Sequence, residues 1–111
     1  MTVLTLPGIF ELPAALAFAI AAKPGHYDGF ITLGCAIKGE TDHYEFICRA
    51  SMEGIMNVAL QFGLCIGTGL LTCDTLGQAE ARSGMDGFNK GAEAAVAALL
   101  QINAARRLGA A

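Results

Sequence analysis

Residues 28–62 read DGFITLGCAI, then KGETDH, then YEFICRASMEGIMNVALQF. The first block, Asp28 to Ile37, is almost wholly apolar, as expected for a strand covered on both faces. The second, Lys38 to His43, is a polar loop. In the third, apolar residues at Ile47, Ala50, Gly54, Ile55, Val58 and Phe62 keep helical spacing. Gly63 stops that helix, and Leu64 to Leu71 reads as a second buried strand. Strand, crossover helix and strand in this order predict a parallel pair.

Working outward, Thr2 to Leu6 is a short β-prone run stopped by Pro7-Gly8. Pro13 to Ala22 is alanine-rich and helical, with Pro13 suited to the first turn, and Pro24-Gly25 ends it. Downstream, Thr75-x-x-Gln78 forms a capping box for a short helix reaching about Ser83. The loop Gly84 to Asn89 leads to a last helix from Lys90 to Leu108. Arg106 and Arg107 suit its final turn, and Gly109 ends it. The 111 residues form one domain, 1–111, of class α/β with three strands. Three are few for a parallel sheet covered on both faces.

Hydrophobic residues make up 54% of the chain and charged residues 15%, with mean hydropathy +0.51, which excludes intrinsic disorder. The net charge of −3 argues against nucleic acid as a partner. So few charges on a small apolar chain imply surface buried in an oligomer. Cys35, Cys48, Cys65 and Cys73 form no CxxC and lie among apolar residues. They read as buried, reduced thiols of a cytoplasmic protein rather than metal ligands. Residues 12–22 have signal-like hydrophobicity but no preceding Lys or Arg. Gly54 to Cys73 is uncharged for 20 residues, yet it breaks at Phe62-Gly63, so a helix end and a strand describe it better than a membrane span.

Three clusters carry possible chemistry. Lys38 to His43 follows the carboxyl end of a strand, where open α/β sheets place ligands. It offers a cation, a glycine, two acids, a hydroxyl and a proton-shuttling histidine. A solvated loop with Asp42 as N-cap is an equal reading. Arg82 to Gly91 flanks a glycine-containing loop with Arg82 and Lys90 and could grip a phosphate, although a helix end and a turn explain it as well. Leu6 to Pro13 is a turn in which Phe10 could pack on a flat ligand and Glu11 could accept from hydroxyls. Alone, it reads as a core aromatic with an acid in the first helical turn. Together, the three suit a phosphorylated carbonyl compound and a flat partner. His26, in a Pro-Gly-His turn, reads as surface decoration.

The blocks PGIFELP (7–13), YDGFITLGCAIKGETDHYEF (27–46), GLLTCDTLGQAEARSG (69–84) and NKGAEAA (89–95), in register, resemble the lumazine synthases of riboflavin biosynthesis. The resemblance implies a flavodoxin-like parallel sheet layered with helices in three layers. It also implies a transferase condensing 5-amino-6-(D-ribitylamino)uracil with 3,4-dihydroxy-2-butanone 4-phosphate, without metal or other cofactor. Sites of that family lie between subunits of a pentamer or its multiples, with no nucleic acid or membrane involved. Matched by motif, His43 is the proton-transferring histidine and Arg82 the arginine holding phosphate from the adjacent subunit. Glu40 and Thr41 meet the butanone phosphate, and Ile9, Phe10 and Glu11 meet the ribityl and pyrimidine groups. Cys35, Ala36 and Ile37 line the pyrimidine, and Lys90 lies near the site.

The chain departs from the family pattern at Lys38, where arginine is usual, which keeps the charge but loses the fork. Thr68 stands where a larger residue usually walls the pyrimidine, and Asp86 stands near the phosphate loop. Relative to that pattern the chain is also short before PGIFE by a strand, a helix and a stacking aromatic. The missing strand is internal, between those ending at Leu6 and Ile37, so its absence leaves two unpaired edges. The competing reading is a non-catalytic, ribityl-ligand-binding or shell-forming subunit. A generic nucleotide-binding domain is disfavoured because no GxGxxG or GxxxxGK[ST] follows a strand.

Overall fold

A computed structural model describes residues 1–37, 43–73 and 89–110, with only the backbone at Ile37, His43, Tyr44, Thr72 and Cys73. A 3-10 turn, Ile9–Glu11, runs into helix α1, Leu12–Ala22, with Pro13 in its first turn. Strand β1, Phe30–Ile37, is followed by α2, His43–Phe62, then β2, Ile66–Cys73, and α3, Lys90–Arg107. The strands pair in parallel from Phe30↔Ile66 to Ile37↔Cys73. Gly63, at φ +62°, turns the chain out of α2. The uncharged stretch is thus a helix end plus a strand, and no described helix is long and apolar enough to cross a membrane.

The register sorts the layers. Gly34, facing the first layer, lies against Ile9, and α1 packs on α2 there, with Pro13 against Gly54. Gly67, Gly69 and Leu33 face the other side, where α3 lies so close that the Ala94 carbonyl covers Gly67 and the Lys90 carbonyl covers Gly69. The result is helix, sheet, helix, as the α/β expectation requires. Asn89 caps α3, its Oδ1 accepting from Ala92 N–H at 3.1 Å. At the other end of α3 the Gln101 amide takes both backbone groups of Ile66, at 2.8 and 2.6 Å.

Four expectations need correction. Thr2 to Leu6 forms no strand. It is exposed chain, tied down by Tyr27 Oη donating to Thr2 Oγ1 at 3.2 Å, and an open cleft of about 350 Å³ separates it from β1, beyond ladder reach. The described sheet therefore has two strands. β1 is not covered on both faces either, because α3 lies mainly over β2 and leaves Ile31 and Leu33 about half exposed. In α2 the buried line is Cys48, Ser51, Ile55 and Ala59, whereas Ala50 and Phe62 are exposed. Small side chains set that line because they let Ile9 and Pro13 approach closely. Finally, Cys35 is exposed and Cys65 half-buried, leaving Cys48 as the buried described thiol, and none of the three is in a disulfide. The capping-box helix from Thr75, the loop 84–88 and Asp42 as a cap lie outside the described residues.

Candidate active site at the carboxyl edge of the sheet

Because β1 and β2 are parallel, both end at the same edge, Ile37 beside Cys73. α2 begins at His43, soon after β1 leaves the sheet, so the first residue of that helix stands at this edge. α3 runs back along β2 from Lys90, whose carbonyl lies over Gly69 in mid-strand, to Gln101 at Ile66, so its N-terminus points toward that edge from the middle of β2. A helix N-terminus carries a partial positive charge suited to an anion, and at α3 the Asn89 side chain already takes the Ala92 N–H. Lys90 adds a cation, its Nζ 3.1 Å from Glu93 Oε2.

The Pro7 to Pro13 turn reaches the same place from the other layer. Ile9 is buried against Gly34, while Phe10 and Glu11 stay exposed beside it. The turn and Leu33 to Cys35 share the walls of the 350 Å³ cleft. Phe10 and Glu11 flank Ile9 on the exposed side of the turn, while Gly8, Ile9 and Leu12 face Leu33 to Cys35 across the cleft. Thr68 lies in mid-strand, half-buried, its Oγ1 accepting from Thr32 Oγ1 at 3.1 Å. Cys35, Ala36 and Ile37 therefore fall at the carboxyl end of β1, and His43 opens α2 after it. Ile9 packs at Gly34 and Lys90 at Gly69, nearer the middle of the strands, with Thr68 beside them and Phe10 and Glu11 on the turn at Ile9. Lys38, Glu40, Thr41, Arg82 and Asp86 lie outside the described residues.

The Cys48 thiol is pushed up from its ordinary value of 9.0, first by burial and then by the charge of Cys35. It is a protonated, inert group at neutral pH. Among the described residues no three His, Cys, Asp or Glu gather as a metal site. Two contributors escaped the sequence reading. Ser51 is completely buried in α2 and donates from Oγ to the Ile9 carbonyl at 2.6 Å. Its signal was its position one turn before Ile55 on the apolar face. Asn89 was read as loop, although an Asn three residues before Ala92 is an N-cap signal.

A parallel α/β domain with an open cleft beside its strands is of the class that holds small molecules at the carboxyl ends of the strands. The pattern defining 6,7-dimethyl-8-ribityllumazine synthase matches residues 1–106, and the chain belongs to that family. It is 46% identical over 111 residues to the 6,7-dimethyl-8-ribityllumazine synthase of Paramagnetospirillum magneticum, covering 96% of this chain and 74% of that one. The synthase of Bartonella henselae is 42% identical over 107 residues, 96% of this chain and 69% of that protein. That of Anaeromyxobacter dehalogenans is 43% identical over 102 residues, 92% of this chain and 62% of that protein. The chain thus spans between three-fifths and three-quarters of its relatives' lengths.

Proposed function

We propose that this chain is a subunit of a cytoplasmic 6,7-dimethyl-8-ribityllumazine synthase, assembled as a pentamer or a multiple of one, with no nucleic acid or membrane partner. What supports this reading is membership of the family, together with an Ile9–Glu11 turn packed on β1 and a helix that opens at His43 in the crossover after β1. Relatives bearing the synthase name at 42–46% identity favour the catalytic reading over a shell-forming or ligand-storing subunit.

In this reading the amine of the ribitylaminouracil attacks the butanone carbonyl, and the adduct loses water to give an imine. His43 takes and returns the protons of these steps. Loss of the C3 proton then expels phosphate with the C4–O bonding pair, and the enol left behind tautomerises to a C3 carbonyl and a methyl group. The ribityl-bearing nitrogen closes the ring on that new carbonyl, and a second water is lost. Phe10 and Glu11 hold the ribityl and pyrimidine groups against Cys35, Ala36 and Ile37, with Thr68 behind. Glu40 and Thr41 supply backbone contacts to the butanone phosphate, and Lys90 supports its charge. Arg82 of a neighbouring subunit grips it in a fork.

The test is turnover of both substrates with this chain. His43→Ala is expected to slow it by ~10²- to 10⁴-fold. Arg82→Ala is expected to weaken binding of the phosphorylated substrate by about 2 kcal/mol. Mixed assemblies of the two variants regain activity if sites lie between subunits. A wild-type chain that binds 6,7-dimethyl-8-ribityllumazine without turning over the substrates would favour the non-catalytic reading.

A further inference from the structure

We propose that Ser51 is a positioning residue that orders the Ile9–Glu11 turn for ligand binding. A serine inside a helix usually bonds its own helix, four residues back, or turns to water. Ser51 does neither. It has no exposed surface, and its hydroxyl leaves α2 to donate to the Ile9 carbonyl at 2.6 Å, across 42 residues of sequence. That carbonyl also accepts Leu12 N–H, so both its lone pairs are used. The turn otherwise has one weak internal bond, Glu11 N–H to Gly8 O at 3.3 Å.

The surroundings make this bond the polar anchor of the turn. Ile9 presses on Gly34 of β1 and Pro13 on Gly54 of α2, and both contacts are apolar and non-directional. They hold the turn down without fixing its rotation, whereas a hydrogen bond to a buried carbonyl fixes direction. Gly8, Ile9 and Leu12 line the cleft and Phe10 and Glu11 are exposed beside them, so the orientation of the turn sets the direction in which those two side chains leave it. The same helix begins at His43, so Ser51 ties the ligand-facing turn to the element that carries the proton-transferring histidine. The inference rests on the synthase reading for the identity of the ligand.

The experiment pairs two readouts on the full chain: calorimetric affinity for 6,7-dimethyl-8-ribityllumazine, and amide hydrogen exchange at Glu11 and Leu12. Ser51→Ala is expected to weaken binding about tenfold and to speed exchange at both amides about tenfold, the scale of one buried hydrogen bond. Ser51→Cys, of similar size and a weaker donor, should move both the same way by less, and serves if the alanine variant does not fold. Ala98→Gly, a destabilising change in buried α3, should leave both within about twofold, since it does not touch the turn. Unchanged affinity in Ser51→Ala, or an equal loss in Ala98→Gly, overturns the proposal. A wild-type chain that binds no lumazine while Ser51→Ala still speeds exchange overturns the synthase reading and upholds the ordering of the turn.

Discussion

Among the described glycines, Gly67 leaves the least room for an added methyl, and its replacement by alanine should be the most damaging. A Cβ there would overlap the Ala94 carbonyl oxygen, and the Ala94 Cα would be 3.0 Å away. A side chain in the way could rotate, but a helix carbonyl cannot, so α3 must retreat from β2 by about 1–2 Å. Overpacking of this kind costs roughly 1–3 kcal/mol. The retreat also uncovers Ala94 and Ala98, both nearly fully buried, at about 0.8 kcal/mol per methyl. A loss of about 3 kcal/mol lowers Tm by about 12–24 °C in a domain of this size. Thermal melts by circular dichroism measure this directly. Gly63→Ala is the natural comparison: nothing stands within 4 Å of its Cβ, but φ is +62°, so only backbone strain of about 1 kcal/mol is expected. Adding Ala94→Gly to Gly67→Ala should not rescue it, because the obstacle is backbone. A Gly67→Ala protein melting within about 2 °C of wild type, or one rescued by Ala94→Gly, would refute the close seating of α3.

Asn89→Ala removes the cap from α3 and should cost about 1 kcal/mol in urea unfolding, with Asn89→Asp retaining most of the stability. Because the Cys48 thiol is raised in the folded state, the unfolded chain loses that proton first as pH climbs past 9.0. The associated stability is therefore full below that pH and lost as pH rises above it, so the wild type should weaken more steeply than Cys48→Ala on the alkaline side of pH 9.0. At neutral pH an alkylating reagent should reach exposed Cys35 well before buried Cys48, which mass spectrometry of partially labelled protein would show.

The sequence exposed the large features because each has a local cause. The run from Phe30 to Ile37, the Gly63 stop and the Gly109 end all reappear within a residue or two, since apolar periodicity and left-handed glycines act over a few positions. The family blocks located the turn at Ile9 and the histidine opening α2. What stayed hidden depends on partners distant in sequence. Thr2 to Leu6 has strand composition, but a strand needs a neighbour at ladder distance, and a cleft lies there instead. Helical spacing favours a face through Ile47, Ala50, Gly54, Ile55, Val58 and Phe62, whereas the contacts of Ile9 with Ser51 and of Pro13 with Gly54 turn α2 so that Cys48, Ser51, Ile55 and Ala59 are buried. The roles of Ser51 and Gln101 arise from contacts 42 and 35 residues away; the spacing of Ser51 from Ile55 marks its burial, but no local pattern announces either partner.

Gln101 has a consequence for anyone redesigning this sheet. Its carboxamide presents to Ile66 an acceptor and a donor in the arrangement of a peptide group, so one side chain imitates the beginning of an adjoining strand. A designer adding a strand beside β2 would have to evict that glutamine and offer Ile66 something at least as good. The other edge of β1 carries no described strand, and the cleft of about 350 Å³ opens beside Leu33, Gly34 and Cys35 there. Grafted peptides or fused segments should therefore be addressed to the β1 side, with Gln101 left as the built-in stopper on the other.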